Sequence, residues 1–214
     1  EPGAVVDDER SDVDPARALA SVARYVGANP PSRDAPETPA RAVVRLSGSR
    51  FVDFEAPTHT DTLMLMWPTP PYLEEDDATL DVVAKLLDRR LESMIGGPLL
   101  SAGAHQASHH LASEFNIALS LEAGADPRPY LAMVDHYLTQ LQTNTLRSES
   151  LPAYRDAASN WITGSYEGYD SRAMSLAMSP EGHVVAPFYL ASRYTGLSGD
   201  DVRRVAAEWL PLDR

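Results

Sequence analysis

Three histidines crowd one short stretch of this chain, in the string His105-Gln106-Ala107-Ser108-His109-His110. Histidines four apart can share one metal ion on a helix, because that spacing puts both imidazoles on one face. A zinc hydrolase also needs a carboxylate beside them to activate the metal-bound water. Ser108 stands in that place, and a serine hydroxyl cannot act as that base. The surrounding pattern reads as a strand, in which residues four apart lie roughly 13 Å from each other. His105 and His109 are therefore the only metal candidates, and the expectation is that they are structural. No catalytic, cofactor-binding or metal residue is assigned.

Other reactive groups have plainer readings. Glu74, Glu75, Asp76 and Asp77 sit where a helix begins, and carboxylates are favoured there by the helix dipole. A divalent-ion site would need converging ligands from elsewhere. Arg89-Arg90 could meet an acidic group, but the simpler expectation is a solvated helix face. There is no Gly-x-Ser-x-Gly elbow, no phosphate-binding G-x-x-x-x-G-K-[ST] loop and no G-x-G-x-x-G. Met64, Met66, Met174 and Met178 fall at core spacing for strand or helix. Trp67, Trp161 and Trp209 read as core or interface anchors.

Composition narrows the class further. The chain has 214 residues, a formal charge of −13, 43% apolar and 23% charged residues, and no cysteine. That is an ordinary globular composition. The acidic balance argues against a nucleic-acid binder, which needs clustered Lys and Arg. No apolar run approaches the roughly 20 residues that span a membrane. Without cysteine there is no disulfide, thiolate nucleophile or cysteine zinc site. Lys85 is the single lysine among 18 basic residues, which fits a GC-rich, bacterial coding bias. The chain opens Glu-Pro-Gly, so it reads as a fragment or processed piece.

The elements follow from periodicity. Asp14-Pro15 caps and starts a helix carrying Leu19, Val22, Ala23 and Val26, which Gly27 ends. Four prolines between 30 and 39 mark a linker. Val43, Val44 and Leu46, and then residues 51–55, alternate as two short strands. Thr60 to Trp67 reads as a more buried strand, stopped by Pro68, Pro70 and Pro71. A long helix begins at Asp76-Asp77, with Leu80, Val83, Leu87 and Leu91 on its apolar face. Leu99–His109 and Leu111–Leu121 read as two further strands, and Asp126-Pro127 opens another helix. From Glu149 onward the pattern is helical, and Ser198-Gly199-Asp200-Asp201 starts the last helix. The fold class is α+β: a mostly antiparallel sheet covered by helices on one face.

Three stretches resemble a known family. Val13-Asp14-Pro15-Ala16-Arg17-Ala18-Leu19, running on to Arg24-Tyr25-Val26-Gly27-Ala28-Asn29-Pro30-Pro31, is similar to the last helix of that family's first domain and its exit. Leu63 to Pro71, followed by Asp76-Asp77-Ala78-Thr79-Leu80-Asp81-Val82-Val83-Ala84-Lys85-Leu86-Leu87, is similar to the opening of its second domain. Tyr189-Leu190-Ala191-Ser192-Arg193-Tyr194 and Leu197-Ser198-Gly199-Asp200-Asp201-Val202-Arg203-Arg204-Val205-Ala206 are similar to its close. The family is the insulinase, pitrilysin and mitochondrial-processing-peptidase group of zinc metallopeptidases, and the likeness is to the second, inactive domain. It implies a processing-peptidase-like metallohydrolase domain over residues 42–214, a proline-rich linker over 33–41, and the tail of a catalytic-type domain over 1–32.

The resemblance also implies what is missing. The family's active domain carries H-x-x-E-H with a distal Glu, and this sequence has no such string. Where relatives have a glycine-serine-rich turn after the first long helix, this chain reads Asp88-Arg89-Arg90-Leu91-Glu92-Ser93-Met94-Ile95. Relatives also contribute an Arg and a Tyr to the cleft. Glu114 and Phe115 stand in the matching strand, and Arg128 and Tyr130 read as a turn residue and a packing residue. No catalytic residue carries over. The implied function is a non-catalytic wall of a peptide-binding chamber, with zinc and base supplied by a partner domain in cis or in trans. A homo- or heterodimer is compatible with that, and the peptide is the substrate. The alternative is a pseudopeptidase scaffold or protein-interaction module. Bacterial relatives of this layout favour a periplasmic or cell-envelope location over the cytoplasm.

Overall fold

The structure is a computed structural model that describes residues 14–29, 39–43, 45–143, 151–164, 166–177 and 187–212. By its internal contacts the chain divides into two units, Glu1–Pro39 and Ala40–Arg214. In the first unit, helix α1 (Pro15–Tyr25) is capped by Asp14, whose Oδ1 accepts from the Ala16 N–H at 3.0 Å. At its end a side chain on Gly27 would collide with the Ala23 carbonyl oxygen, 2.5 Å from an ideal Cβ, so glycine is required there. Leu19, Val22 and Val26 share one face, and all are exposed. The proline-rich stretch expected to be a linker lies largely outside the described residues.

The second unit contains a three-stranded antiparallel sheet of β1 (Thr60–Thr69), β2 (Leu99–Ala107) and β3 (Ser113–Glu122), in the order β1-β3-β2. β2 and β3 form a hairpin. β1 reaches β2 through helix α2 (Asp77–Glu92), with β3 slotted between them. This is a split β-α-β arrangement. Pro68 lies inside β1 rather than ending it, which an edge strand tolerates because its outer N–H positions need no partner.

Period-two burial divides the sheet cleanly. Leu65 and Trp67 of β1, Ala104 and Gln106 of β2, and Phe115, Ile117, Leu119 and Leu121 of β3 are buried on the helical side. Trp67 and Phe115 meet edge to face with centroids 6.3 Å apart. On the other face lie Thr62, Met64 and Met66, paired in register with Ser120, Ala118 and Asn116. Met64 and Met66 are 54% and 53% exposed. Their spacing suggested core, but β1 is an edge strand with one open face. Period two places every second residue on that face, whatever its type.

α2 is buried along most of its length, including Leu80, Val82, Val83, Leu87 and Leu91. It packs on β2 and against α4 (Leu151–Gly164) and α7 (Gly199–Trp209). α7 also packs on α3 (Arg128–Thr143), and α4 on α6 (Pro187–Ser192); α5 (Tyr169–Ala177) lies between α4 and α6 in sequence. α7 begins with a capping box: the Asp201 N–H donates to Ser198 Oγ, and the Ser198 N–H to Asp201 Oδ2. After α2 the chain turns through Gly96 and Gly97, the latter at φ +56°, a conformation costly for other residues.

Several sequence expectations differ from the structure. No strand forms among the described residues of 43–55, and Phe51 and Phe54 are 87% and 80% exposed. Alternation makes a strand only where another strand pairs with it. Met174 is exposed rather than core, Trp161 is exposed and so is no core anchor, and Met178 lies outside the described residues. Arg90 is not on a solvated face. It hydrogen-bonds Gln140 and lies 5.7 Å from the Tyr137 ring centroid, both on α3, while Arg89 is exposed.

The two faces should respond differently to truncation. Leu87→Ala, at the centre of the packed layers, is expected to cost about 2–5 kcal/mol in urea unfolding. Met64→Ala, on the open face, is expected to cost within about 0.5 kcal/mol.

Candidate functional site

The histidines do not converge. His105 projects from the open face of β2, paired with Asn116. His109 lies beyond the end of the strand, where its backbone N–H donates to Ser113 Oγ and its carbonyl accepts from the Tyr72 N–H. His110 Nδ1 is 3.0 Å from an Arg41 guanidinium nitrogen. Among the described residues no three His, Asp or Glu side chains come together in a way that could hold a metal ion. The donor set does not fit a zinc site.

The four acids at the start of α2 split into two pairs. Glu74 and Glu75 are exposed, whereas Asp76 and Asp77 are buried. Asp76 accepts from both terminal guanidinium nitrogens of Arg204, at 2.7 and 3.3 Å, and from Trp209 Nε1 at 2.8 Å, all from α7. Burial by itself pushes this carboxyl up. The hydrogen bonds from Arg204 and Trp209, with the Arg204 charge, outweigh that and hold it below the usual carboxylate value.

Asp77 has partners on three sides. Arg193 donates to Oδ2 at 3.0 Å, the Leu73 N–H donates to the same oxygen at 3.0 Å, and Ser108 Oγ donates to Oδ1. Leu73 is held at φ +72°, which a non-glycine residue adopts only under constraint. The Asp77 bond to its N–H supplies that constraint. The other end of Arg193 donates to the Glu74 carbonyl at 2.7 Å. One turn along α2, Asp81 Oδ2 accepts from the Tyr194 hydroxyl at 2.6 Å.

Beside this network is a groove of about 440 Å³, lined by Arg41, Arg45, Pro70, Pro71, Glu74, Glu208 and Trp209 among others. Arg45 lies 4.7 Å over the Trp209 ring centroid and 3.5 Å from Glu208. The groove holds ion pairs and prolines, and no nucleophile with an adjacent base lines it.

Arg128 pairs with Asp126 at 2.8 Å on the surface, Tyr130 packs against the core, and Phe115 is fully buried. Sequence reading missed that Asp76 and Asp77 are buried and that Arg193 and Arg204 satisfy them. A signal was present. The two aspartates and the two arginines fall in the separate stretches that carry the family resemblance, and those stretches meet here.

The described residues thus form an α+β domain, an antiparallel sheet with helices on one face and the other face open. The sequence matches the family described as the peptidase M16 inactive domain across residues 11–157, and the chain belongs to that family. No curated protein matches it in sequence. Among solved structures it is similar to a protease from Helicobacter pylori, at 15% identity and TM-score 0.68, over 93% of this chain and 50% of that one. The chain therefore spans half the length of that protein. It is also similar to the inactive peptidase domain of a protein assigned as a zinc protease in Bordetella parapertussis, at 18% identity and TM-score 0.61, over 75% and 92% of the two chains. A protein given the same assignment in Bordetella pertussis matches at 20% identity and TM-score 0.60, over 73% and 91%.

Removing the Asp76 carboxylate leaves Arg204 and the Trp209 N–H without their acceptor. Asp76→Ala is expected to lose about 1–3 kcal/mol at neutral pH by urea unfolding. Because its carboxyl is held low in the folded state, its contribution is present above the unfolded value and is lost as pH falls through the folded one. Below about pH 4 the variant should therefore lose stability less steeply than the wild type.

Proposed function

We propose that this chain is the non-catalytic half of a zinc metallopeptidase unit. Residues 42–214 form one wall of a peptide-binding chamber, and a partner domain supplies zinc and general base. The observation that carries this reading is the open face of the sheet in a domain of the inactive class. Helices cover one face, while Met64, Met66 and His105 leave the other available to line a cavity. In the partner, zinc would polarise the scissile carbonyl and activate water. This chain would exclude bulk solvent and hold the peptide, which strengthens the electrostatics of a neighbouring site.

Residues 1–32 are read as the last helix of a preceding catalytic-type domain. The exposed face of Leu19, Val22 and Val26 supports that, because an isolated amphipathic helix of this length gains its stability from packing. Phe51 and Phe54 are a second exposed apolar element that a partner domain would cover.

The test is reconstitution. Each piece alone, this chain and the catalytic-type domain carrying H-x-x-E-H, is expected to leave a quenched-fluorescence peptide intact, and the mixture to cleave it. The purified chain is expected to hold no stoichiometric zinc by elemental analysis. Full activity of the catalytic piece alone would overturn the reading, as would one zinc per chain that a His105→Ala/His109→Ala variant loses. If neither the parent gene nor its neighbour encodes the zinc motif, the scaffold reading takes its place.

A further inference from the structure

Asp77 and Asp81 stand four residues apart on α2, so their carboxyls share a face, and like charges at that spacing repel. One guanidinium serves this face. Arg193 spends one end on Asp77 and the other on the Glu74 carbonyl. Asp81 receives its hydrogen bond from a neutral donor, the Tyr194 phenol, at 2.6 Å. The residue that follows Arg193 is thus tied to the carboxyl that Arg193 does not reach.

We propose that Asp77, Asp81, Arg193 and Tyr194 form a proton-operated latch, which holds the stretch following α6 against α2 more firmly in mildly acidic than in neutral solution. The groups around it are few. On α2 itself, Asp77 disfavours and Lys85 favours the charged form of Asp81. From the segment after α6, Arg193 favours it and Tyr194 hydrogen-bonds it. From the loop before α2, Tyr72 lies close enough to feel Asp81, and Tyr166 in turn acts on Tyr72. On α4, which also packs on α2, Arg155 is engaged with the Leu197 carbonyl. Ser108, after β2, bonds Asp77 rather than Asp81.

Burial is the largest influence on the Asp81 carboxyl, with the Asp77 charge next, and together they push it up to about 7. Burial, with Asp81 beside it, also raises the Tyr194 hydroxyl well above its ordinary value, so it remains a donor throughout. The direction of the effect follows. In the closed arrangement Asp81 keeps its proton up to neutrality, whereas once opened to water it loses the proton at the ordinary carboxylate value. Closing is therefore most favourable at the acidic end. It weakens as pH rises toward 7 and levels off above that.

Hydrogen exchange over residues 189–197, corrected for the intrinsic rate at each pH, tests the latch in the full chain between pH 5 and 8. Protection is expected to fall by up to about tenfold per pH unit as neutrality is approached, and then to level off. Asp81→Asn, which is neutral whether closed or open, should show protection that does not change with pH and lies at or above the wild-type level at pH 5. Protection that does not vary with pH in the wild type, or that varies equally in Asp81→Asn, overturns the proposal. Should that variant fail to fold, carbon NMR of the wild-type Asp81 carboxyl decides. A midpoint near neutrality supports the latch, and one at or below the ordinary carboxylate value overturns it.

Discussion

A carboxylate taken out of water must be given donors, and Asp76 takes all of its recorded ones from the last helix of the chain. That demand ties α7, whose Val202, Val205 and Ala206 are buried in the core, to the start of α2. With α7 in place, the residues just after it become a meeting point. Trp67 of β1 donates its indole N–H to the Pro211 carbonyl at 3.1 Å, and Gln142 of α3 donates to the Leu210 carbonyl at 2.8 Å. One buried acid thus links the sheet edge, the central helix and the end of the chain. The apolar core supplies the bulk of the stabilisation, but it is non-directional. The polar anchors make one arrangement of these helices better than its neighbours.

The same economy shapes the sheet. Its two edges are treated differently: on β2 the Asp88 carboxylate accepts from the Ala104 N–H at 3.2 Å, so α2 blunts that edge as well as covering the face. The opposite face carries Met64, Met66, Asn116 and Ser120, a mixed surface that neither demands burial nor repels a ligand.

Much of this was readable beforehand where local rules decide. The cap at Asp14, the capping box at Ser198 and Asp201, the extent of α2 and the β2–β3 pair all follow from residues close together in sequence. The failures share one cause. Residues 51–55 have the alternation of a strand but no partner strand, and Met64 and Met66 have core-like side chains on an open face. Arg90 looks solvent-facing on its own helix, but α3 is packed against it. In each case another part of the chain, or its absence, sets the environment.

The amino-acid sequence by itself determined the class of this protein: an α+β domain of the M16 inactive type, acidic and cysteine-free, with no H-x-x-E-H to hold zinc. Those properties rest on periodicity, composition and the presence or absence of a string, all of which are local. Only the tertiary structure decided what the acids at 74–77 are for. Two are exposed, one of them 3.9 Å from the Arg41 guanidinium, and two are buried and bonded to arginines more than a hundred residues away. Charge on a residue is written in the sequence. Whether that charge meets water or a guanidinium depends on which distant segments pack beside it.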